Sequence, residues 1–345
     1  MYKPTANLTI DEQLYPFRGH TKFTQYIPSK PAKYGIKIWW ICDAENAYPL
    51  HGIIYAGKTG NIREKNQGER VVKELAAPYK GSGRNITMDN FFTTLPLAKH
   101  LLSWQLAIVG TLRKNKPYIP KQMASHKSRP EYSSLFGFHE KVALCSYVPK
   151  KNKAVILLST MHYDAAVNDD EKKKPHMITY YNKYKSGVDT MDQMVSRYTT
   201  HRRTARWPLA IFFNILDVAA LAAYIIYYEN NKMIKKKTNQ RRVFLRQLSE
   251  ELAKPFIEDR AGNAQVMHHF TTKLAIESMI GVQLVPSEVP QRDSTGRKKT
   301  TGSCHVCYKE TIKRRRKTQK SCFVCKKPVC DKHCVSITKC IDCAQ

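Results

Sequence analysis

Short apolar runs rich in Ile, Trp and Tyr, each bounded by Pro, Gly or Asn, set the rhythm of the first 115 residues. NLTI, ending at Asp11, reads as a strand. A basic loop follows, and KYGIKIWWICD and HGIIYAG give two more strands. Residues 61–80 are polar, with a short helical patch at VVKELAAPY. RNITMD reads as a strand, Thr94 to Trp104 has helical spacing at Leu97, Leu101 and Leu102, and LAIVGTLRKN reads as a buried strand. Several strands followed by a strand–helix–strand unit predict an α/β fold, a mixed sheet flanked by helices.

The pattern changes over residues 116–176, which are Lys- and Ser-rich at both ends. Between those ends lie two strand-like runs, VALCSYVP and KAVILLST, on either side of a basic turn at Lys150 to Lys153, which predicts a small β insertion. A helical region begins near Gly187 and runs to about Tyr198. After a basic break (RRTAR), Trp207 to Tyr228 is apolar and about long enough to span a bilayer. Asn214 and Asp217 lie near its middle, however, and an Asp there costs roughly 2.5–3.5 kcal/mol on insertion. The stretch is therefore expected to be a helix buried nearly all round, with no membrane as partner. Residues 283–303, rich in Pro, Ser, Thr and Lys, read as a linker.

Composition narrows the partner. The 345 residues suit about two or three domains. Lys and Arg number 58 against 28 Asp and Glu, a net charge of +30. Self-repulsion of that size opposes compaction, so an anionic partner is expected, nucleic acid first and an acidic membrane surface second. MYKPTANLTIDEQL has no apolar stretch of the kind that opens a signal peptide. No pattern calls for a small-molecule cofactor.

Eight soft ligands close the chain in pairs: Cys304 and Cys307, Cys322 and Cys325, Cys330 and His333, Cys340 and Cys343. Ligands two residues apart let one tight turn offer two bonds to a tetrahedral zinc, so four pairs imply two Zn²⁺ ions and a reducing compartment rather than disulfides. A cross-brace would join Cys304, Cys307, Cys330 and His333 on one ion and Cys322, Cys325, Cys340 and Cys343 on the other. Sequential pairing is the rival, and Cys334 is a rival to His333. The basic run between the first two pairs, Lys313, Arg314, Arg315, Arg316 and Lys317, suits a nucleic-acid contact and a nuclear-import signal.

Carboxylates are scarce, so their positions carry information. Asp11 and Asp89 end strands, and Asp189 and Asp192 are three apart on a helix and project from one face. Carboxylates brought together in this way can hold two divalent ions for an in-line phosphoryl displacement. Spacing alone leaves rivals: Asp89 equally suits an N-cap, and Glu12, Asp43 and Asp164 are comparable carboxylates.

Four segments then carry a resemblance. TIDEQLYPFRGHTKFTQYIPSKPAKYGIKIW, RNITMDNFFTTLPLAKHLL, MITYYNKYKSGVDTMDQM and RRTARWPLAIFFNILDVAA resemble the catalytic core of the piggyBac family of DNA transposases, and the cysteine-rich end is similar to that family's terminal domain. The resemblance implies an RNase H-like core in residues 1–115, an insertion domain in 116–176 and a closing core helix in 177–198. A helical DNA-binding and dimerisation region in 199–282, a linker in 283–302 and a zinc-binding domain in 303–345 would follow. It implies catalytic roles for Asp11, Asp89 and Asp189, with Asp192 as an additional carboxylate, holding two Mg²⁺ (or Mn²⁺). Arg202, Arg203 and Arg206 become candidate DNA-phosphate contacts, their rival reading being a solvated basic face.

The reaction implied is excision through a DNA hairpin and joining at TTAA sites, in the nucleus, by a homodimer acting on double-stranded transposon ends. Members usually carry a long segment before the first catalytic strand. Here that strand begins within about ten residues of Met1, so the resemblance implies an N-terminally truncated product or a host-adapted remnant, with an exposed apolar patch on the helices from Trp207 onward. Two functions follow: a metal-dependent DNA transposase, or a DNA-binding or chromatin protein derived from one and lacking its chemistry.

Overall fold

The computed structural model describes residues 2–57, 64–124, 129–231, 239–263, 266, 269–283, 302–309, 316–322, 324–325 and 327–335. The chain divides into two units, Met1–Leu245 and Arg246–Gln345.

The first unit is built on β1 (Asn7–Pro16), β2 (Thr24–Tyr26), β3 (Tyr34–Asp43), β4 (Pro49–Ile54), β5 (Asn85–Met88) and β6 (Ala107–Leu112). β3 lies antiparallel to β1, and β2 and β4 share its other edge. On its far side β1 runs parallel to β5, and β5 parallel to β6. This order and these directions make the mixed RNase H-like sheet that the sequence implied. β1 is longer than its sequence pattern predicts. It continues to Pro16 because β3 supports it as far as the Pro16–Gly35 pair, whereas the ladder to β5 stops at Ile10–Met88. Asp11 is thus within a strand, at the point where one neighbour falls away.

Alternation along β1 decides what each face does. Leu8 and Ile10 point into a core with Trp39, Ile41, Ile86 and Met88. α1 (Gln67–Ala76) and α2 (Leu95–Ser103) cover that core with Val71, Val72, Leu75, Leu97 and Leu101. Each such fully buried aliphatic side chain is worth about 1.5–3 kcal/mol. Thr94 caps α2, its side chain accepting from the Leu97 amide at 3.2 Å. The opposite face of the sheet packs on α5 (Gly187–Arg197) and α6 (Trp207–Asn230), through Val188, Met191, Val195, Val218, Leu221 and Ile225.

The insertion adds α3 (Lys121–Ala124), β7 (Ser134–His139), β8 (Val142–Lys150) and β9 (Lys153–Ser159). These strands do not make a sheet of their own. β9 pairs antiparallel with β6, so β7 to β9 extend the sheet of β1 to β6. The turn between β8 and β9 therefore lies at the same end of the sheet as Asp89. α4 (His176–Tyr184) then leads into α5.

α6 corrects one expectation. Its buried positions, Ala210, Ile211, Asn214, Asp217, Val218, Leu221 and Ile225, form one stripe at helical spacing. The other side is exposed at Phe212 (52%), Ile215 (58%) and Leu216 (41%), so the helix is covered on one face and not all round. The apolar patch expected from the sequence is present. The helix is long and apolar enough to cross a membrane, yet Asn214 and Asp217 are hydrogen-bonded inside the protein.

α7 (Gln240–Ala261) leads into the second unit, which also contains α8 (Phe270–Ile280), β10 (Gly302–Ser303), α9 (His305–Lys309) and β11 (Lys317–Thr318). β10 and β11 pair antiparallel.

Candidate active site

The end of the parallel β1–β5 ladder carries Asp11, on β1, and Asp89, the residue just after β5. Each is the residue after a paired position, Ile10 and Met88, and neighbouring strands lie about 4.8 Å apart. The Asp11 carboxylate accepts from the Glu12 amide at 2.8 Å. Burial pushes its pKa well above the usual carboxylate range, Glu12 and Asp89 add to the rise, and Lys30 opposes it. Asp89 accepts from the Phe91 amide at 2.8 Å, and its carbonyl accepts from Thr93 Oγ1 at 2.7 Å. It does cap a turn, but the cap of α2 is Thr94, so capping that helix is not its task. Burial raises the Asp89 pKa as well, despite the Phe91 amide and the charge of Arg113.

β6 holds that turn close. A Cβ on Gly110 would lie 2.2 Å from Thr93 Oγ1 and 2.8 Å from the Met88 carbonyl. No larger residue allows the same approach of β6 to the end of β5.

α5 brings the other two aspartates. Its first residue, Gly187, sits so near β1 that a Cβ would fall 2.3 Å from Thr9 Cγ2 and 3.2 Å from Ala44 Cα. Thr9 Oγ1 also donates to the Lys185 carbonyl at 3.2 Å. The helix start is thereby pinned to the strand that carries Asp11. Asp192 is half-buried and accepts from Gln13 Nε2 at 2.8 Å. Burial raises its pKa, while the Gln13 hydrogen bond and the charge of Lys30 pull it down. Asp189 is more exposed and pairs with Lys30, Nζ to Oδ1 at 3.0 Å.

Lys30, from the turn between β2 and β3, was not singled out in the sequence. Its ammonium donates to the Glu12 carbonyl at 2.8 Å as well as to Asp189. Burial lowers its pKa, but the Asp189 bond and the charges of Asp11, Asp189 and Glu12 outweigh that and raise it. A cation thus already stands against the aspartates. Carboxylate oxygens are hard donors of the kind that Mg²⁺ or Mn²⁺ takes.

The rival carboxylates have other work. Asp43 is fully buried and accepts from Tyr2 Oη, the Thr5 amide, Thr5 Oγ1 and the Glu45 amide. Asp164 is exposed and accepts from the Ala166 amide. Glu12 alternates away from Asp11 along β1, on the side of Trp39.

Arg202, Arg203 and Arg206 are exposed on the segment between α5 and α6. Buried Asp217 of α6 fixes the start of that segment, accepting from the Thr200 amide at 2.8 Å, from Thr200 Oγ1 at 2.9 Å and from Thr199 Oγ1.

In the second unit Cys304, Cys307, Cys330 and His333 converge, with ligand atoms all within 4.8 Å of one another. Cys307 Sγ lies 3.7 Å from Cys330 Sγ, and His333 Nδ1 lies 3.4–3.6 Å from the three sulfurs. Zinc bonds of about 2.0–2.3 Å in a tetrahedron require ligand separations of roughly 3.4–3.8 Å, so this set fits zinc. The first and third pairs join, as in the cross-brace assignment, and His333 rather than Cys334 completes the set. Arg316 is half-buried. Lys313, Arg314, Arg315, Cys340 and Cys343 lie outside the described residues.

Residues 1–224 match the family model described as Transposase IS4. Fold and match together place the chain in a transposase family whose core is an RNase H-like sheet. Human piggyBac transposable element-derived protein 3 is 24% identical over an alignment of 233 residues that covers 60% of this chain and 38% of that protein. Human piggyBac transposable element-derived protein 2 is 22% identical over an alignment of 240 residues that covers 64% of this chain and 40% of that protein. A solved piggyBac transposase, in a synaptic complex with hairpin DNA, superposes with a TM-score of 0.77 at 40% identity, over 99% of this chain and 70% of that one. The chain belongs to the piggyBac family of transposases. It spans about two fifths of the length of the two human relatives.

Proposed function

We propose that this chain is a metal-dependent DNA transposase whose chemistry is carried by Asp11, Asp89, Asp189 and Asp192. The observation that carries the reading is the meeting of Asp11 and Asp89 at the end of one parallel ladder, with α5 pinned across them at Gly187. Two Mg²⁺ (or Mn²⁺) held there would polarise the reacting phosphate and lower the pKa of an attacking oxygen. The chain's own residues hold the carboxylates in place and leave Asp11 and Asp89 half-buried. The exposed arginines Arg202, Arg203 and Arg206 hold the DNA backbone against the site.

Each step exchanges one P–O bond for another. Water attacks a phosphodiester at the transposon end, and the departing 3′-oxygen takes up a proton. That 3′-hydroxyl attacks the opposite strand to give a hairpin, as suits a relative of a transposase solved with hairpin DNA. Water reopens the hairpin, and the 3′-end then attacks target DNA at TTAA. The zinc module reads the transposon ends, two copies of the chain act together, and the work takes place in the nucleus.

A plasmid excision assay tests the proposal. Scarless excision that Asp89→Asn abolishes is the expected result. DNA binding without any excision would support instead a DNA-binding protein that has kept the fold and not the chemistry.

A further inference from the structure

Gln13 is fully buried on β1, two residues beyond Asp11 and on the same face. All four hydrogen-bonding positions of its amide are used. Nε2 donates to Asp192 Oδ1 at 2.8 Å and to Asn214 Oδ1 at 3.3 Å. Oε1 accepts from Trp40 Nε1 at 2.9 Å and from Asn214 Nδ2 at 3.1 Å. Gln13 and Asn214 therefore form a reciprocal amide pair. Rotating the Gln13 amide by half a turn would set its oxygen against the Asp192 carboxylate and the Asn214 oxygen, and its NH₂ against the Trp40 and Asn214 donors. Only one orientation satisfies every group, and in it a donor points at Asp192.

The cost of this arrangement shows that it is specific. Asn214 is 1% exposed in the middle of a largely apolar helix, where Asp217 is the other buried polar side chain. A buried amide there is unfavourable unless it is paired. An apolar residue would pack α6 without that penalty. Trp40, opposite Asp11 in the β1–β3 register, is the third member of the network.

We infer that Gln13 and Asn214 are positioning residues whose hydrogen bonds, rather than the packing of α6 as such, lock the aim of Asp192. The inference rests on the reading of Asp192 as a ligand in a divalent-ion site. Three residues further along α6, Asp217 anchors the segment bearing Arg202, Arg203 and Arg206. One helix thus sets both the fourth carboxylate and the basic segment.

The test uses the full chain and counts bound Mn²⁺ by the loss of free-ion paramagnetic resonance signal, with melting temperature measured alongside. Asn214→Leu is expected to keep α6 packed and to weaken Mn²⁺ binding roughly 10–100-fold, the usual range for removing a group that orients a ligand. Trp40→Phe, which removes one donor to Gln13, should shift affinity in the same direction by less. Val218→Ala, an apolar change one turn along the same helix face, should lower the melting temperature and leave Mn²⁺ affinity unchanged.

Wild-type affinity in both Asn214→Leu and Trp40→Phe would overturn the inference, as would an equal loss of affinity in Val218→Ala. Should Asn214→Leu fail to fold, Trp40→Phe against Val218→Ala decides the matter. Failure of the underlying reading looks different: wild-type protein would then bind no Mn²⁺ that Asp89→Asn removes.

Discussion

Lys30 reaches from the β2–β3 turn to α5 and places its ammonium 3.0 Å from Asp189 Oδ1. The same group donates to the Glu12 carbonyl, so it spans the strand and the helix that frame the acidic edge. Lys30 acts as a counter-ion where carboxylates would otherwise repel. Lys30→Met is expected to destabilise the metal-free protein by about 1–2 kcal/mol, a range lowered by the exposure of Asp189. It should also enlarge the rise in melting temperature that saturating Mn²⁺ produces. A smaller rise than in wild type would contradict this role.

The raised pKa values of Asp11, Asp89 and Asp192 give a pH dependence of defined sign. A carboxyl whose folded pKa lies above its unfolded value favours folding most at pH below the unfolded value. That contribution is lost as pH rises through the folded value. Metal-free Asp11→Asn should therefore be more stable than wild type at neutral pH, with the gain shrinking as the medium is acidified. Chemical denaturation across the acid-to-neutral range measures it. A gain that grows toward acid would contradict the burial of Asp11.

Gly187→Ala puts a methyl where Thr9 Cγ2 and the Ala44 backbone already sit. α5 must move off β1, at a cost of about 1–3 kcal/mol. The expected phenotype is loss of Mn²⁺ binding with bulk DNA binding retained. A variant with wild-type Mn²⁺ affinity would show that the seating of α5 does not govern the site.

Chelation should unfold the cysteine-rich module, since zinc supplies roughly 10–16 kcal/mol to small modules of this kind. Cys330→Ser should act in the same way at the cluster of Cys304, Cys307 and His333. Recognition of specific ends is expected to fall further than bulk DNA binding. Equal losses, measured by competition against random duplex, would deny the module a role in specificity.

Much of the fold was legible in the sequence because the core strands carry dense Ile, Trp and Val runs whose burial dictates them. β2 and β7 were not: TQY is too short for a period to show, and SLFGFH is mostly surface. α4 was hidden because its N-cap is Pro175, which offers no side-chain bond, and because MITYY is as compatible with a strand. Asp11 looked like a strand end because β3's support of β1 is a tertiary fact. Gln13 did leave a trace, the polar stripe Thr9, Asp11, Gln13 at every second residue of a buried strand. Lys30 left none, since its reach depends on how the β2–β3 turn folds over the sheet.

The continuity of β6 with β9 has a mechanical consequence. A module joined by a loop can swing; one joined by a backbone ladder is splinted. The tip at Lys150, Lys151 and Lys153 therefore keeps a fixed span from Asp89, and any load taken up there is passed as shear from strand to strand toward the strand ends at Asp89 and Asp11.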